Sequence, residues 1–333
     1  MSDWVDMSQA QTSRPKVRLP SLGRASRQLS AYVRLGKLNI WQIYVTVVIA
    51  WTLLPPALAF SPRAILTTLL FLVCVVGVVS AGLALDDVVG YRIGMDKVTY
   101  GSTEEMLRSS NMKPLLSGEL TAHQGVRYGL VAGAVGTLCG VGAILLSWHA
   151  SSPWALVVFF VVVFLTLQYS YGLGFSFRIF AGSELVLLIG FSTAVALPYA
   201  LVTGTITGQV VVEAVLVAIW MLQVGIFSNS ADAPHDRHYG RTSIAASVGE
   251  KTNRTVIVVV FITGWALVGV GIAARWLTPW LVLLLVPAVV LHILQLRAGV
   301  GRRSWLVARK LGFRAYELGC LALIVTNVAV WVR

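Results

Sequence analysis

The chain has 333 residues, of which 57% are hydrophobic and only 12% charged, with a mean hydropathy of +0.79. So apolar a composition excludes a soluble domain of this size and defines an integral membrane protein. The formal net charge of +12 invites a nucleic-acid reading, but the basic residues form no patch once they are placed on a membrane topology.

A bilayer core of ~30 Å needs about 20 apolar residues per helix, and the chain offers about nine such stretches. In chain order they run over 39–60, 63–86, 124–147, 153–172, 180–202, 209–231, 255–274, 278–296 and 311–332. Residues 1–38 read as a basic tail and entry to the first helix, flexible over 1–30, and 39–332 as a single transmembrane domain. Nothing before residue 39 has the apolar core of a signal peptide, so no cleavage is expected. Every Lys and Arg except Arg63, Arg275 and Arg333 falls on one side of this topology, which the positive-inside rule makes cytoplasmic. The expectation is a multi-pass cell-membrane protein with the N-terminus inside and the C-terminus outside. Its basic loops then meet anionic lipid headgroups, and no nucleic acid is needed as a partner. Cys74, Cys139 and Cys320 lie in apolar stretches with no Cys or His at ligand spacing, which excludes a disulfide framework and a zinc site.

The external connections 148–152, 203–208 and 275–277 are short, whereas the connections 87–123 and 232–254 are long, polar and cytoplasmic, and each begins beside an acidic cluster. Asp86 and Asp87 end the second predicted helix, with Asp96 following Gly90 and Gly94. The sixth ends in Asn229, Asp232 and Asp236, whose spacing puts three oxygen-bearing side chains on one helix face. Both helices point the negative ends of their dipoles at the cytoplasmic face, so added carboxylates there call for a bound cation. Oxygen ligands without His or Cys suit Mg²⁺, an ion typically shared with substrate phosphates. Asp86, Asp87, Asp96, Asn229, Asp232 and Asp236 are therefore the candidate metal ligands, with Asp86, Asp87, Asp232 and Asp236 the catalytic set. The alternative is a pair of solvated helix ends whose acids balance nearby Lys and Arg. A transporter would instead place its acids near the bilayer midplane.

Arg92, Lys97, Arg178 and Arg241 lie within or beside these motifs and are candidate diphosphate contacts, with Glu184 near enough in sequence to orient Arg178.

These residues resemble the UbiA superfamily of intramembrane prenyltransferases. The run Asn229-Ser-Ala-Asp232-Ala-Pro-His-Asp236, continuing through Gly240-Arg241-Thr242 to Gly249, is similar to the family's N-x-x-D-x-x-x-D motif and the Gly-Lys-Arg-Thr stretch after it. The run from Asp86-Asp87 through Gly90-Tyr91 to Gly94 and Asp96 resembles the quinone-pathway form N-D-x-x-D-Y-x-x-G-x-D. Asp86 here replaces the usual Asn, and Gly90 stands where a metal-binding Asp is expected. Lys113-Pro114-Leu115 resembles the family's Arg-Pro-Leu, and Tyr169-Ser170, Arg178 and Gly182-Ser183-Glu184 resemble its segment between helices 4 and 5. The resemblance implies an all-α bundle of about nine transmembrane helices with a central cavity and cytoplasmic cap loops. It also implies Mg²⁺-dependent ionisation of an isoprenyl diphosphate, followed by transfer to a lipophilic, usually aromatic acceptor. The carbocation so formed needs π-faces around it, for which Tyr169, Tyr171 and Phe175 are candidates, as are Phe177, Phe191 and Trp220. The related terpene cyclases, in which the cation is captured intramolecularly, are the alternative. If the second helix continues past Asp87, a carboxylate at Gly90 would fall one turn beyond Asp86, so Gly90→Asp is expected to be tolerated or to tighten Mg²⁺ binding.

Overall fold

The computed structural model describes residues 23–100, 112–148 and 153–331. The centre of the predicted loop 87–123, most of the connection 148–152 and the first 22 residues lie outside them. The described residues form helices and connecting turns.

The first helix, α1 (Arg24–Leu35), occupies sequence expected to be tail. It forms because Ala31 and Leu35 bury against Ala84, Val88 and Leu115. The predicted helix over 39–60 is broken into a 3₁₀ turn (Trp41–Ile43), α2 (Val45–Thr52) and α3 (Pro56–Ala59). Pro55 and Pro56 supply no backbone N–H, and Pro56 opens α3 at the position where none is missed. Ser61 caps α4 (Pro62–Arg92) through Ala64 N, and α4 runs six residues past its predicted end. A short α5 (Met95–Tyr100) follows, then α6 (Ala122–Leu146), which begins with a reciprocal Thr121–Gln124 capping box.

α7 (Trp154–Leu167), α8 (Phe175–Arg178) and α9 (Gly182–Thr203) lead into α10 (Gly208–Tyr239). α10 passes through Pro234 and stops only at Gly240 (φ 78°), so the second acidic motif is also helical throughout. α11 (Ile244–Ser247), α12 (Glu250–Ala273), α13 (Leu281–Leu296) and α14 (Trp305–Trp331) complete the described chain.

Among the described residues seven helices are long and apolar enough to cross a membrane: α4, α6, α9, α10, α12, α13 with its π-helical extension to Gly301, and α14. The other two predicted segments are shorter apolar helices, Trp41–Thr52 and Trp154–Leu167. α10 is the central helix: 83% of its apolar window is buried, against 28–44% for the other six. Its Leu216, Val217, Trp220 and Val224 pack with Val268, Leu285, Tyr316 and Leu323 of α12, α13 and α14. α4 and α6 approach until their backbones touch. A Cβ on Gly77 would lie 2.6 Å from the Ala132 carbonyl oxygen, and one on Gly136 would lie 2.8 Å from Val78 N. That contact holds α4 rigidly and so fixes where its acids emerge.

Candidate active site

The two acidic motifs meet through an ion pair. Asp86 of α4 accepts from Arg241, just beyond the end of α10, at 2.5 Å, and from Ser170 Oγ at 2.6 Å. The side chains are 17% and 13% exposed, so the pair is largely withdrawn from water. The turn carrying Arg241 is held from both sides: Thr242 N donates to the Ser176 carbonyl and Ala181 N to the Thr242 carbonyl, each at 2.9 Å. The Phe177 ring lies 5.2 Å from the guanidinium carbon.

Asp87, the next residue on α4, faces other partners. Its Oδ1 accepts from Lys113 at 2.8 Å and from Lys37 at 3.3 Å. The same Lys113 ammonium donates to Asp96 Oδ1 at 3.0 Å and stands 4.9 Å from the centre of the Tyr100 ring. Lys113 is buried, which opposes its charge, yet the Asp87 and Asp96 carboxylates hold its pKa above the ordinary lysine value. Asp96 also explains the glycine at position 90. A Cβ built there would lie 3.0 Å from the Asp96 carboxyl carbon, so a carboxylate at 90 would run into one already present. α4 does continue as a helix through position 90, and a side chain there would require the Asp96 carboxylate to move by a few tenths of an ångström.

On α10, Asn229 donates to Glu184 Oε1 at 2.8 Å and more weakly to Ser183 Oγ at 3.4 Å. Glu184 in turn accepts from Ser183 at 2.6 Å and from Ile244 N at 3.2 Å. Glu184 thus orients Asn229, and the predicted partnership with Arg178 is replaced by this one. Asp236 is 4% exposed and accepts one long bond, 3.4 Å, from Ser243 Oγ. It lies in the electrostatic field of Asp232 and Asp86, both like charges, and of Arg241.

These donors fit a hard divalent cation. A bound cation would offset the burial of a carboxylate that has one weak hydrogen bond and lies next to further acids. The α10 face offers the Asn229, Asp232 and Asp236 oxygens for it. Among the described residues no group of three or more His, Cys, Asp and Glu is gathered tightly enough to hold a metal by itself, so water and substrate oxygens would complete the shell. The dipole argument survives only for Asp236, in the last turn of α10. Asp86 and Asp87 stand more than a turn inside α4, where burial sets their electrostatics.

The remaining sequence candidates divide. Arg92, Lys97 and Arg178 are exposed and in no ion pair among the described residues, whereas Arg241 is built into the site. Tyr169 lies in the combined field of Arg241, Asp86, Glu184 and Asp236. Burial pushes its phenol pKa up, so the hydroxyl stays protonated and can donate. Tyr171 instead lines a groove of about 480 Å³ between α4, α6 and the end of α7, with Leu85, Gly129, Gly133 and Leu167. Phe175 packs edge-on against Phe164, with ring centres 5.8 Å apart, and Phe177 is the ring beside the guanidinium. Trp220 is a core residue, and Phe191 packs edge-on against Tyr316. Sequence reasoning missed Lys37, Lys113 and Ser170 as members of the site. Lys113 and Ser170 carried a signal, in the Lys113-Pro114-Leu115 and Tyr169-Ser170 runs, whereas Lys37 carried none.

Acids and cations from distant helices thus converge at one end of a membrane bundle. The family model for the UbiA prenyltransferase family matches residues 39–313, and the chain belongs to that family. Among solved structures, a UbiA homologue from Aeropyrum pernix K1 superposes with a TM-score of 0.62 at 18% identity, covering 89% of this chain and 98% of that one. A structure concerning digeranylgeranylglyceryl phosphate synthase gives 0.61 at 16% identity, covering 91% and 99%. A homologue from Archaeoglobus fulgidus bound to GPP and Mg²⁺ gives 0.60 at 11%, covering 91% and 100%. At such identities the likeness establishes the fold alone. No curated protein matches the chain.

Proposed function

We propose that the chain is a Mg²⁺-dependent intramembrane prenyltransferase that ionises an isoprenyl diphosphate and transfers the prenyl group to a lipophilic, aromatic acceptor. The observation that carries the reading is the Asp86–Arg241 pair, which ties the first motif to the second beside a buried, weakly bonded Asp236. The GPP and Mg²⁺ bound by the Archaeoglobus fulgidus homologue support the same substrate class. Bound Mg²⁺ would neutralise the diphosphate and make it a better leaving group.

This chain's residues would then act as follows. Asn229, Asp232 and Asp236 hold the ion, with Glu184 fixing the Asn229 rotamer. Arg241, anchored by Asp86, faces the oxygens on which charge develops as the C1–O bond breaks. Tyr169, kept protonated, donates to those oxygens. The allylic cation left behind is shielded from water by the bundle and by rings such as Phe177, and is captured by an acceptor carbon that then loses its proton. The basic, acid-bearing end of the bundle faces the cytoplasm, where it meets anionic membrane lipids.

Gly90, where the quinone-pathway pattern has Asp, favours a second reading, a terpene cyclase using the same ionisation. Membranes incubated with Mg²⁺ and C10 to C20 diphosphates, with and without aromatic acceptors, separate the two by product mass. A prenylated acceptor supports the transferase. A hydrocarbon or terpene alcohol formed without acceptor overturns it in favour of the cyclase, and no consumption of any diphosphate overturns both.

A further inference from the structure

We infer that Lys113 is a fixed cation standing in the metal position of the first motif, so that the chain takes its divalent ion on the α10 residues alone. The inference rests on the prenyl-diphosphate reading above. Lys113 Nζ bridges Asp87 Oδ1 and Asp96 Oδ1 at 2.8 and 3.0 Å, the geometry in which a shared cation joins two carboxylates. Lys37, 3.3 Å from the same Asp87 oxygen, brings the second positive charge. Two carboxylates and two ammonium groups balance, so this cluster is neutral without a metal. Asp86 is balanced separately by Arg241.

Position 90 belongs to the same arrangement. With no side chain there, the Asp96 carboxylate folds back against α4, 3.0 Å from where a Cβ would stand, and meets Lys113. A third carboxylate would have left the cluster acidic and open to a divalent ion. Its absence lets a lysine close it. One polar atom of the cluster, the buried Asp87 Oδ2, has no partner among the described residues. A divalent ion beside it would be opposed by the Lys113 charge bound to the other oxygen of that carboxylate. Asp236 presents the contrary case, being buried and in no ion pair among the described residues. Lys113 is therefore a positioning residue: it holds α5 and the Lys113-Pro114-Leu115 turn against α4.

The test counts metal ions. Full-length protein in detergent is titrated with Mn²⁺ in the presence of geranyl S-thiolodiphosphate, and bound Mn²⁺ is followed by electron paramagnetic resonance. The wild type should bind one Mn²⁺ per chain. Lys113→Gln should raise the count to two, with dipolar broadening between the ions. Asp96→Asn should leave the count at one, and Asp236→Asn should reduce it to none. Two ions in the wild type, an unchanged count in folded Lys113→Gln, a loss in Asp96→Asn or a retained ion in Asp236→Asn would each overturn the inference. If Lys113→Gln does not fold, the other three counts decide. Failure of the wild type to bind the thiolodiphosphate at any Mn²⁺ concentration refutes the functional reading itself, a result distinct from a wrong count.

Discussion

The Asp86–Arg241 pair joins residues 155 positions apart and should behave energetically as one unit. Removing one member of a buried pair leaves the other charge uncompensated and costs roughly 3–5 kcal/mol, whereas an exposed pair contributes about 0.2–1 kcal/mol. At 13% and 17% side-chain exposure the lower end of the buried range applies, about 3 kcal/mol for Arg241→Met, or roughly a hundredfold in the folding equilibrium. Asp86→Asn should cost less, about 2 kcal/mol, because the amide oxygen still accepts the 2.6 Å bond from Ser170. The double variant should cost about 1.5–2 kcal/mol less than the sum of the two, since its second change removes a charge that is already stranded. The assay is unfolding in mixed micelles by added anionic detergent, followed by the fluorescence of the 11 Trp residues. Strict additivity, within about 0.5 kcal/mol, would show that the pair does not hold the two motifs together.

Asp232→Ala and Asp236→Ala should each lower turnover at least ~10³-fold while the protein remains folded in membranes, and substantial activity at saturating Mg²⁺ would exclude them as ligands. Chelation should abolish turnover, with Mg²⁺ or Mn²⁺ restoring it and Zn²⁺ not, because the proposed donors are all oxygens; full activity after exhaustive chelation would refute the mechanism. Gly90→Asp should destabilise the protein by about 1–3 kcal/mol through crowding and like charge against Asp96, and Asp96→Gly in the same chain should recover most of the loss; the measurement is the same micelle unfolding. Arg92→Ala, Lys97→Ala and Arg178→Ala should each leave kcat/KM within about threefold, since exposed charges in no ion pair among the described residues contribute little; a tenfold loss in any of them would place that cation on the substrate.

The membrane class, the apolar segments and the α10 motif are legible from sequence because each is a local property. Hydropathy needs only a window of ~20 residues, and Asn229, Asp232 and Asp236 share a face by helical period alone. The ends of the helices are less so. α4 and α10 both outrun their apolar segments, because backbone hydrogen bonding continues wherever buried acids find partners, and those partners come from elsewhere in the chain. Helix 1 fails in the opposite direction: its apolar run masks the break that Pro55 and Pro56 impose. The division of labour among the acids was decided wholly by the tertiary structure. Asp86 and Asp87 are neighbours in sequence, but successive residues of a helix point about 100° apart, so one meets Arg241 and the other Lys113. Lys113 lies 26 residues from Asp87 and Glu184 lies 45 from Asn229, separations over which no periodicity carries information. Composition determined that the acids must be balanced, and only the packing of α4 against α5 and α6, with the turn after α10 held by Ser176 and Ala181, determined by what.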